Sequence, residues 1–461
     1  MRTATRTELH RRTHARRPPP GDGSADPGRL IAAALSGLLP GLGQAFNRRR
    51  TPATWLLLLS LAALTLAWLV LTLIPPSRLI AWVVAPSNLR ALLVINVAIL
   101  TVRLVAVGHA FRDRRFTARP GRGGLVGLAV IVVFVAVPHA LLASYGLAAE
   151  DAFGRIFVRP RPNEPAPSLD ARLTVLLIGV DSAPWRTTTL TDALIVVSVD
   201  PVGKTATMLS LPRDLVDVPL GNGDTYGPKI NSLLSYAEGH SEAFPDGGTK
   251  ALQRAIASLL GIDIDYTATL DFFGFQRMVD ILGGVTIDNH KAIDDDNYDM
   301  YDGRGRGFQL SKGIHTLDGP DALAYVRSRF TPGDTDFDRA RRQQQVLVAL
   351  RDRFLSFGGV LQLPALLDAL GGSVRTDLPT ALLPDLAALV EEIDRDSVVG
   401  IVVRSPLVRS GGRNHPYGSV QVPDVDLIRE VSALAFGPPG APPRPWPTPV
   451  PSATPGRSAS P

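Results

Sequence analysis

Three long runs of apolar residues set the first limit on how this chain can fold. "TWLLLLSLAALTLAWLVLTLI" (54–74) carries no charge, and a helix of that length crosses the hydrocarbon core of a bilayer. "ALLVINVAILTVRLVAVGHA" (91–110) does the same if Arg103 snorkels or faces a neighbouring helix. "GLVGLAVIVVFVAVPHALLASYG" (124–146) does so with a kink expected at Pro138. The earlier stretch "RLIAAALSGLLPGLGQAF" (29–46) is shorter and broken by "PGLG". It reads as re-entrant, interfacial or a fourth span. It ends in "NRRR" rather than a small-residue cleavage site, so the apolar segments are expected to be retained.

Charge orients these segments. The formal net charge of +5 is unevenly spread, with arginines crowded into residues 1–28, 47–50 and 111–122. A basic run standing alone could be a nucleic-acid arm. Beside apolar spans it reads as a cytoplasmic flank, and no nucleic-acid partner is expected. If both basic loops are cytoplasmic, the spans 54–74 and 91–110 separate them, 29–46 enters and returns, and 124–146 delivers the rest outside. The competing arrangement has four full spans and an internal C-terminal half.

At 461 residues the chain exceeds one average domain. The expected organisation is a basic cytoplasmic tail (1–28), a transmembrane region (29–146), a polar Pro-rich linker (147–170), a folded domain (171–436) and a Pro-rich tail (437–461). That tail is too low in complexity to bury a core and is expected to be disordered. Within the folded half, "LTVLLIGVD" (173–181), "ALIVVSVD" (193–200) and "TATMLSL" (205–211) read as buried strands. "TKALQRAIASLLGI" (249–262), "FGFQRMVDILGG", "LDGPDALAYVRSRF" (317–330) and "FDRARRQQQVLVALRDRFLSF" read as helices, the last with Leu347, Leu350 and Phe354 on one face. Strands alternating with helices predict an α/β fold with a buried sheet covered by helices.

Several chemistries are unsupported. Without cysteine there is no disulfide and no thiolate metal or redox site. There is no G-x-S-x-G elbow, no phosphate-binding G-x-x-x-x-G-K-[ST] loop and no H-E-x-x-H. The acidic run "DDDNYDMYDG" (294–303) lacks calcium-loop spacing and reads as a solvated loop.

Acids and arginines at element ends remain. Asp181 closes one strand, Asp192 precedes the next, and Arg213 with Asp214 follows a third. Lys229 lies in "PKIN", Arg327 and Arg329 end one helix, and Arg339 and Gln343 share a face of the next. Singly, each suits a surface ion pair. Together they suit a pyrophosphate, whose oxygens take arginine forks while carboxylates hold Mg²⁺ against it.

"LLIGVDS", "TDALIVVSVDP", "LSLPRDL", "KIN", "MVDILGGV", "LDGPDALAYVRSR" and "DFDRARRQQQVL" occur in this order. They resemble the LytR-CpsA-Psr family, the cell envelope-related transcriptional attenuator domain, over roughly residues 171–350. The resemblance implies a central mixed β-sheet flanked by helices, with a groove for a polyprenyl chain. It implies a bacterial, membrane-anchored enzyme with an extracytoplasmic catalytic domain. Its partners would be a polyprenyl-pyrophosphate-linked glycopolymer, a cell-wall acceptor glycan and membrane lipid. It would move the glycopolymer onto the acceptor's hydroxyl. Asp181 and Asp192 are implied as acids associated with Mg²⁺ (or Mn²⁺). Arg213, Lys229, Arg327, Arg329, Arg339 and Gln343 are implied as the pyrophosphate grip, with Arg213 also catalytic. Asp336 is a candidate general base, its rival role being an N-cap for a helix beginning near Phe337. Two alternatives stay open, a membrane-bound regulator of envelope genes and a polyprenyl-pyrophosphate hydrolase.

The chain departs from the family pattern twice. It has several spans where the family commonly has one. Leu190 also stands where the family usually has arginine, and Arg186 is expected to fold back and supply the missing charge.

Overall fold

The computed structural model describes residues 26–74, 79, 82–83, 86–117, 119–157, 169, 171–181, 189–300, 304–356, 369–412, 414–438 and 440. Arg186 and most of the Pro-rich tail therefore lie outside the described residues. The described residues fall into two units, one within Met1–Leu73 and Ala91–Ser144, the other within Ile74–Arg90 and Tyr145–Pro461.

In the first unit, α1 (Asp26–Leu38) and α2 (Leu42–Phe46) form a broken helical hairpin. Three longer helices follow: α3 (Arg50–Leu73), α4 (Pro86–Phe111) and α5 (Arg122–Ile156), of which residues 86–90 and 145–156 belong to the second unit. Each is long and apolar enough to cross a membrane. Both ends of the hairpin meet the connection between α4 and α5. The Asp26 carboxylate accepts from the backbone N–H groups of Gly121 (3.1 Å) and Gly124 (3.0 Å), so it caps α5. At the other end Asn47 donates to the Ala110 carbonyl (2.8 Å) and Arg49 pairs with Asp113 (2.8 Å).

A break between two helices leaves orphaned backbone groups that need partners. Gln44 accepts from Gly41 N–H (3.1 Å) and donates to the Ala106 carbonyl (2.9 Å). Arg103 faces neighbouring helices, as its sequence position allowed. It donates to the Gly37 carbonyl at the end of α1 and lies 3.2 Å from Nε2 of His139, whose other ring nitrogen meets Asn96.

α5 runs through Pro138 to Ile156. Residues 147–156, expected to begin a linker, are thus helical; "GLAAEDAFGRI" holds no proline, and the burial of Ala152, Phe153 and Ile156 outweighs the low helix propensity of Gly154. Residues 158–168 of that expected linker lie outside the described residues.

The second unit is built on a six-stranded mixed sheet. Its strands are β1 (Leu173–Asp181), β2 (Leu190–Asp200), β3 (Thr205–Leu211), β6 (Tyr266–Asp271), β11 (Val374–Thr376) and β12 (Val398–Val402). They run in the order β11-β6-β1-β2-β3-β12. The β1–β6 and β3–β12 pairs are parallel and the others antiparallel. Short hairpins, β4 (Val218–Pro219) with β5 (Thr225–Tyr226), and β13 (Val408–Ser410) with β14 (Gln421–Pro423), complete one side. β7 (Val285–Asn289) pairs with β10 (Gly313–Leu317), and β8 (Ile293–Asp299) with β9 (Arg306–Leu310).

The helices of this unit are α6 (Leu233–Gly239), α7 (Gly247–Leu260), α8 (Phe272–Ile281), α9 (Gly319–Arg327), α10 (Asp336–Ser356), α11 (Leu383–Glu392) and α12 (Val425–Ala435). On one sheet face Leu176, Ile178 and Val196 bury against Leu252, Ile256 and Ile428 of α7 and α12. A second core joins α8, α9 and α10 through Val279, Leu323, Tyr325 and Val346. Residues 294–299 of the acidic run read as a solvated loop belong instead to strand β8, in which Ile293, Asp295 and Tyr298 are buried, and 301–303 lie outside the described residues. Phe354, expected on the apolar face of α10, is 47% exposed, whereas Leu350 is buried.

α10 is fixed to the sheet by one amide. Gln344 Nε2 donates to Ser210 Oγ on β3 (2.8 Å) and to the Ile401 carbonyl on β12 (2.9 Å). Its room depends on Gly400, where a Cβ would come within 2.4 Å of Gln344 Oε1.

Candidate active site

The candidate site lies where sheet strands and two helices end. Along β1 and β2, Gly179 pairs with Ala193 and Val180 with Thr191. Asp192 is therefore the extra residue of a β-bulge, a device that re-aims a side chain at a strand end. β3 stops at Leu211, Pro212 stiffens the exit, and Arg213 follows. Arg213 Nη1 donates to Asp192 Oδ1 over 2.5 Å. Arg327, the last residue of α9, reaches Oδ2 of the same carboxylate (3.4 Å) and Oδ2 of Asp181 (3.3 Å). Its guanidinium carbon sits 3.9 Å over the Phe272 ring centroid, so the ring orients it through a cation–π contact.

Asp192, Arg213, Arg327, Arg329, Arg339 and Gln343 line one cavity of about 230 Å³. Most of the expected grip is thereby brought together. Asp181, 3% exposed, joins through Arg327. Lys229 does not line this cavity; it pairs with Asp214 (2.9 Å), which lies 4.0 Å from Arg213 Nε. Asp336 does not line it either; its carboxylate accepts from Arg339 (2.9 Å). The N-cap expected of Asp336 belongs to Thr335, which exchanges hydrogen bonds with Asp338: Thr335 N–H and Oγ1 donate to the carboxylate, and Asp338 N–H returns one. Arg342 is structural, pairing with Asp334 (2.7 Å) and donating to the Ser328 carbonyl. Leu190 lines the arginine cavity.

One residue of this wall was missed from sequence. Asp295, 1% exposed, accepts from Ser328 Oγ (2.8 Å), Arg329 N–H (3.0 Å) and Phe330 N–H (3.1 Å). It holds the turn after α9 that presents Arg327 and Arg329. The signal was an acid among alternating positions of a run otherwise too polar to look like a strand.

Electrostatics follow from this crowding. Burial opposes the charged form of Asp192, but Arg213, Arg327 and Arg339 outweigh it and hold its carboxyl below the ordinary value. Burial likewise works against charge on Arg213, and Asp192 more than offsets it, leaving its pKa raised. At Arg339 burial prevails, with Asp336 offsetting it only in part, so its pKa is lowered. For Asp295 the burial cost is overcome by the hydrogen bonds from Ser328, Phe330, Arg329 and Asn297, which lower its pKa. An anion replacing some of the carboxylate contacts would meet guanidiniums already oriented toward it.

A second cavity, about 350 Å³, adjoins the first. It opens between the other sheet face and helices α8 and α10, where Leu177, Ala268, Phe275, Met278 and Leu347 line it. Val326, Arg327, Asp192 and Gln343 line both cavities.

Among the described residues no cluster of three or more histidines and carboxylates could cage a metal. Mg²⁺ does not need such a cage, since it is commonly held by one or two carboxylates, waters and substrate phosphates. Asp181 and Asp192, converging on one guanidinium nitrogen, are a donor set of that kind.

Fold and site together define an α/β domain that presents a buried cluster of arginines and carboxylates beside an apolar cavity. The sequence pattern of the LytR_cpsA_psr family matches residues 159–413. The chain belongs to that family. It is 35% identical over 214 residues to the protein named Regulatory protein MsrR of Staphylococcus aureus (strain Mu50), covering 46% of this chain and 58% of that one. It is 34% identical over 205 residues to the polyisoprenyl-teichoic acid--peptidoglycan teichoic acid transferase TagU of Halalkalibacterium halodurans, covering 44% and 60%. The chain thus spans less than two thirds of these relatives. The crystal structure of B. subtilis TagV superposes with a TM-score of 0.46 at 26% identity, covering 57% of this chain and 96% of that one.

Proposed function

We propose that this protein is a membrane-anchored phosphotransferase that moves a glycopolymer from a polyprenyl-pyrophosphate carrier to a cell-wall hydroxyl. The observation that carries this reading is the pair of adjoining cavities, one lined by four arginines and the other almost wholly apolar, with Arg327 and Gln343 on the shared wall. A lipid diphosphate has that same polarity along its length. TagU, the relative named as a teichoic acid transferase, favours the same chemistry.

The acceptor oxygen would bond to the phosphorus nearer the glycan. The bond from that phosphorus to the oxygen bridging to the polyprenyl phosphate would break, and the acceptor's proton would pass to a base. Phosphoryl transfer depends mainly on positioning and on neutralising charge. Arg213, Arg327, Arg329 and Arg339 would bear on the diphosphate oxygens, and Gln343 would donate to one of them. Asp336 is the proposed base, with Arg339 fixing its carboxylate. Asp181 and Asp192 would hold Mg²⁺ (or Mn²⁺), which would supply further charge neutralisation at the diphosphate. Lys229 would act at a distance, by fixing Asp214 beside Arg213. The charge pattern of the loops supports a bacterial membrane location with the catalytic unit outside.

The test is incubation of the purified protein with a polyprenyl-diphosphate-linked glycan, Mg²⁺ and peptidoglycan fragments. Acceptor-linked phosphoglycan and polyprenyl phosphate are the expected products. Release of glycan phosphate to water alone would favour hydrolysis. No consumption of the donor would leave the regulatory role suggested by the name of MsrR as the better reading.

A further inference from the structure

The arginine cavity is not lined by arginines alone. Strand β8 contributes Asn297, Tyr298 and Asp299, and the turn after α9 contributes Phe330. A regular strand sends neighbouring side chains to opposite faces, so three consecutive residues could not line one cavity. β8 is not regular there. Between the Asp295–Phe308 and Asp299–Arg306 pairs it carries three residues, against Gly307 alone on β9. Gly307 has φ 102°, a conformation that glycine takes without a steric penalty. The bulge turns a run of polar side chains toward the cavity, a role that bulges commonly have beside functional sites.

Burial sorts the lining by depth. Arg339 is buried and Asp192, Arg213 and Arg327 are half-buried, whereas Asn297, Asp299, Arg329 and Phe330 are exposed. The cavity therefore has an interior rich in arginine and a mouth that carries a carboxylate, an amide and an aromatic ring. The Phe330 ring is held in place from two sides. Its backbone N–H donates to Asp295 (3.1 Å), and the Arg329 guanidinium carbon lies 5.0 Å from the ring centroid. The ring nevertheless stays 56% exposed.

The mouth does not suit a phosphate, which a carboxylate repels. It suits a sugar. Hydroxyl groups donate to a carboxylate and both donate to and accept from an amide, and the C–H face of a sugar ring covers an aromatic face at little loss of hydration. At about 230 Å³ the cavity is smaller than most ligand sites, roughly 300–1,000 Å³, so a glycan would lie across the mouth and send one hydroxyl inward. We propose that Asn297, Asp299 and Phe330 form the subsite for the acceptor glycan, with Phe330 beneath a sugar ring and the β8 side chains on its hydroxyls. The inference rests on the transferase reading for the identity of the acceptor. It separates the two substrates: the donor diphosphate lies among the interior arginines, and the acceptor enters over β8.

The experiment measures steady-state transfer by the full-length protein, with a polyprenyl-diphosphate-linked glycan as donor, Mg²⁺, and peptidoglycan fragments as acceptor. KM is determined separately for each substrate. Asn297→Ala, Asp299→Ala and Phe330→Ala should each raise the acceptor KM about tenfold, the usual effect of losing a hydrogen bond to a charged group or an aromatic anchor. The donor KM should move by less than about twofold, and Phe330→Tyr, which keeps the ring, should hold the acceptor KM within the same limit. Asn297→Ser, Asp299→Asn and Phe330→Leu replace any alanine variant whose thermal unfolding curve shows a damaged fold. If wild type transfers but any one of the three positions leaves the acceptor KM within about twofold, or raises the donor KM by the same factor, the subsite is wrong and the transferase reading stands. If wild type consumes no donor, both fall.

Discussion

Arg213 and Asp192 meet at 2.5 Å, and Arg327 takes the other oxygen of the same carboxylate. Asp192 is therefore held between two guanidiniums that arrive from different places in the chain, the exit of β3 and the end of α9. Losing one preorganised charge-stabilising group typically costs roughly 3 kcal/mol, about a hundredfold in rate. Arg213→Ala and Arg327→Ala should each lower kcat by about that factor with the thermal unfolding curve little changed. Arg213→Lys should recover only a small part, because an ammonium cannot reproduce the planar fork. Near-normal turnover in both alanine variants would place the chemistry elsewhere.

Phe272 supports Arg327 from below at 3.9 Å and also lines the apolar cavity. Phe272→Leu keeps an apolar wall but removes the π face. A desolvated cation–π contact contributes on the order of 2 kcal/mol, so kcat/KM for the lipid-linked donor should fall about tenfold or more. An unchanged value would show that the two carboxylates alone orient Arg327.

Asp295 makes a prediction in pH. Its pKa lies below the ordinary value in the folded protein, so folding favours its charged form. That stabilisation is complete above the unfolded value of about 3.9 and fades as pH falls through the lower folded value. Asp295→Asn should therefore unfold at lower temperature than wild type at neutral pH, and the gap should narrow in acid. Asp295→Ala leaves Ser328, Arg329 and Phe330 donors unpaired, at roughly 1–3 kcal/mol for each that stays buried. A gap that stays constant down to strong acid would mean that the carboxylate's charge is irrelevant.

Leu190 lines the arginine cavity where a further cation would sit. If Arg186 compensates, Arg186→Ala should impair transfer severely, and adding Leu190→Arg should restore much of it. If Arg186→Ala alone leaves turnover within about twofold, under ~0.5 kcal/mol, the site works with one arginine fewer.

The α1–α2 hairpin begins and ends beside the basic connection between α4 and α5. Single cysteines introduced near Arg48 and Arg119 should thus react with a membrane-impermeant thiol reagent only in inverted vesicles. A cysteine in the catalytic unit, for instance at Lys312, should react only in right-side-out ones. Labelling of all three from one side would rule out an odd number of crossings.

Much of this architecture was legible because its signals are local. The runs at 173–181 and 205–211 became strands over those same residues, since apolar and β-branched side chains in short bounded runs have few other ways to be buried. The arginines at helix and strand ends were equally visible, and Arg213, Arg327, Arg329, Arg339 and Gln343 do share a cavity. What was hidden depends on distant partners. Asp295 is buried with one local donor, Asn297 N–H, and three donors more than thirty residues later, and the later ones leave no mark in the sequence around it. The pairing of Lys229 with Asp214, outside the lining of the arginine cavity, was likewise not visible from sequence. The end of α5 read as linker because its acids and the prolines after it outweighed a buried face that exists only against Leu370, Val374 and Leu383.

Gln344 sits beside Gln343 on α10 and is bonded to two sheet strands, one of which runs into Arg213. The distance between the cavity-lining residues of α10 and Arg213 is accordingly set by strand register and not by the loops that connect them. For protein engineering, this makes β3, β12 and α10 a single transplantable module. A chimera that exchanges α10 alone, or that places any larger residue at Gly400, should fold with its arginines out of alignment, whereas one that moves all three together should retain their spacing.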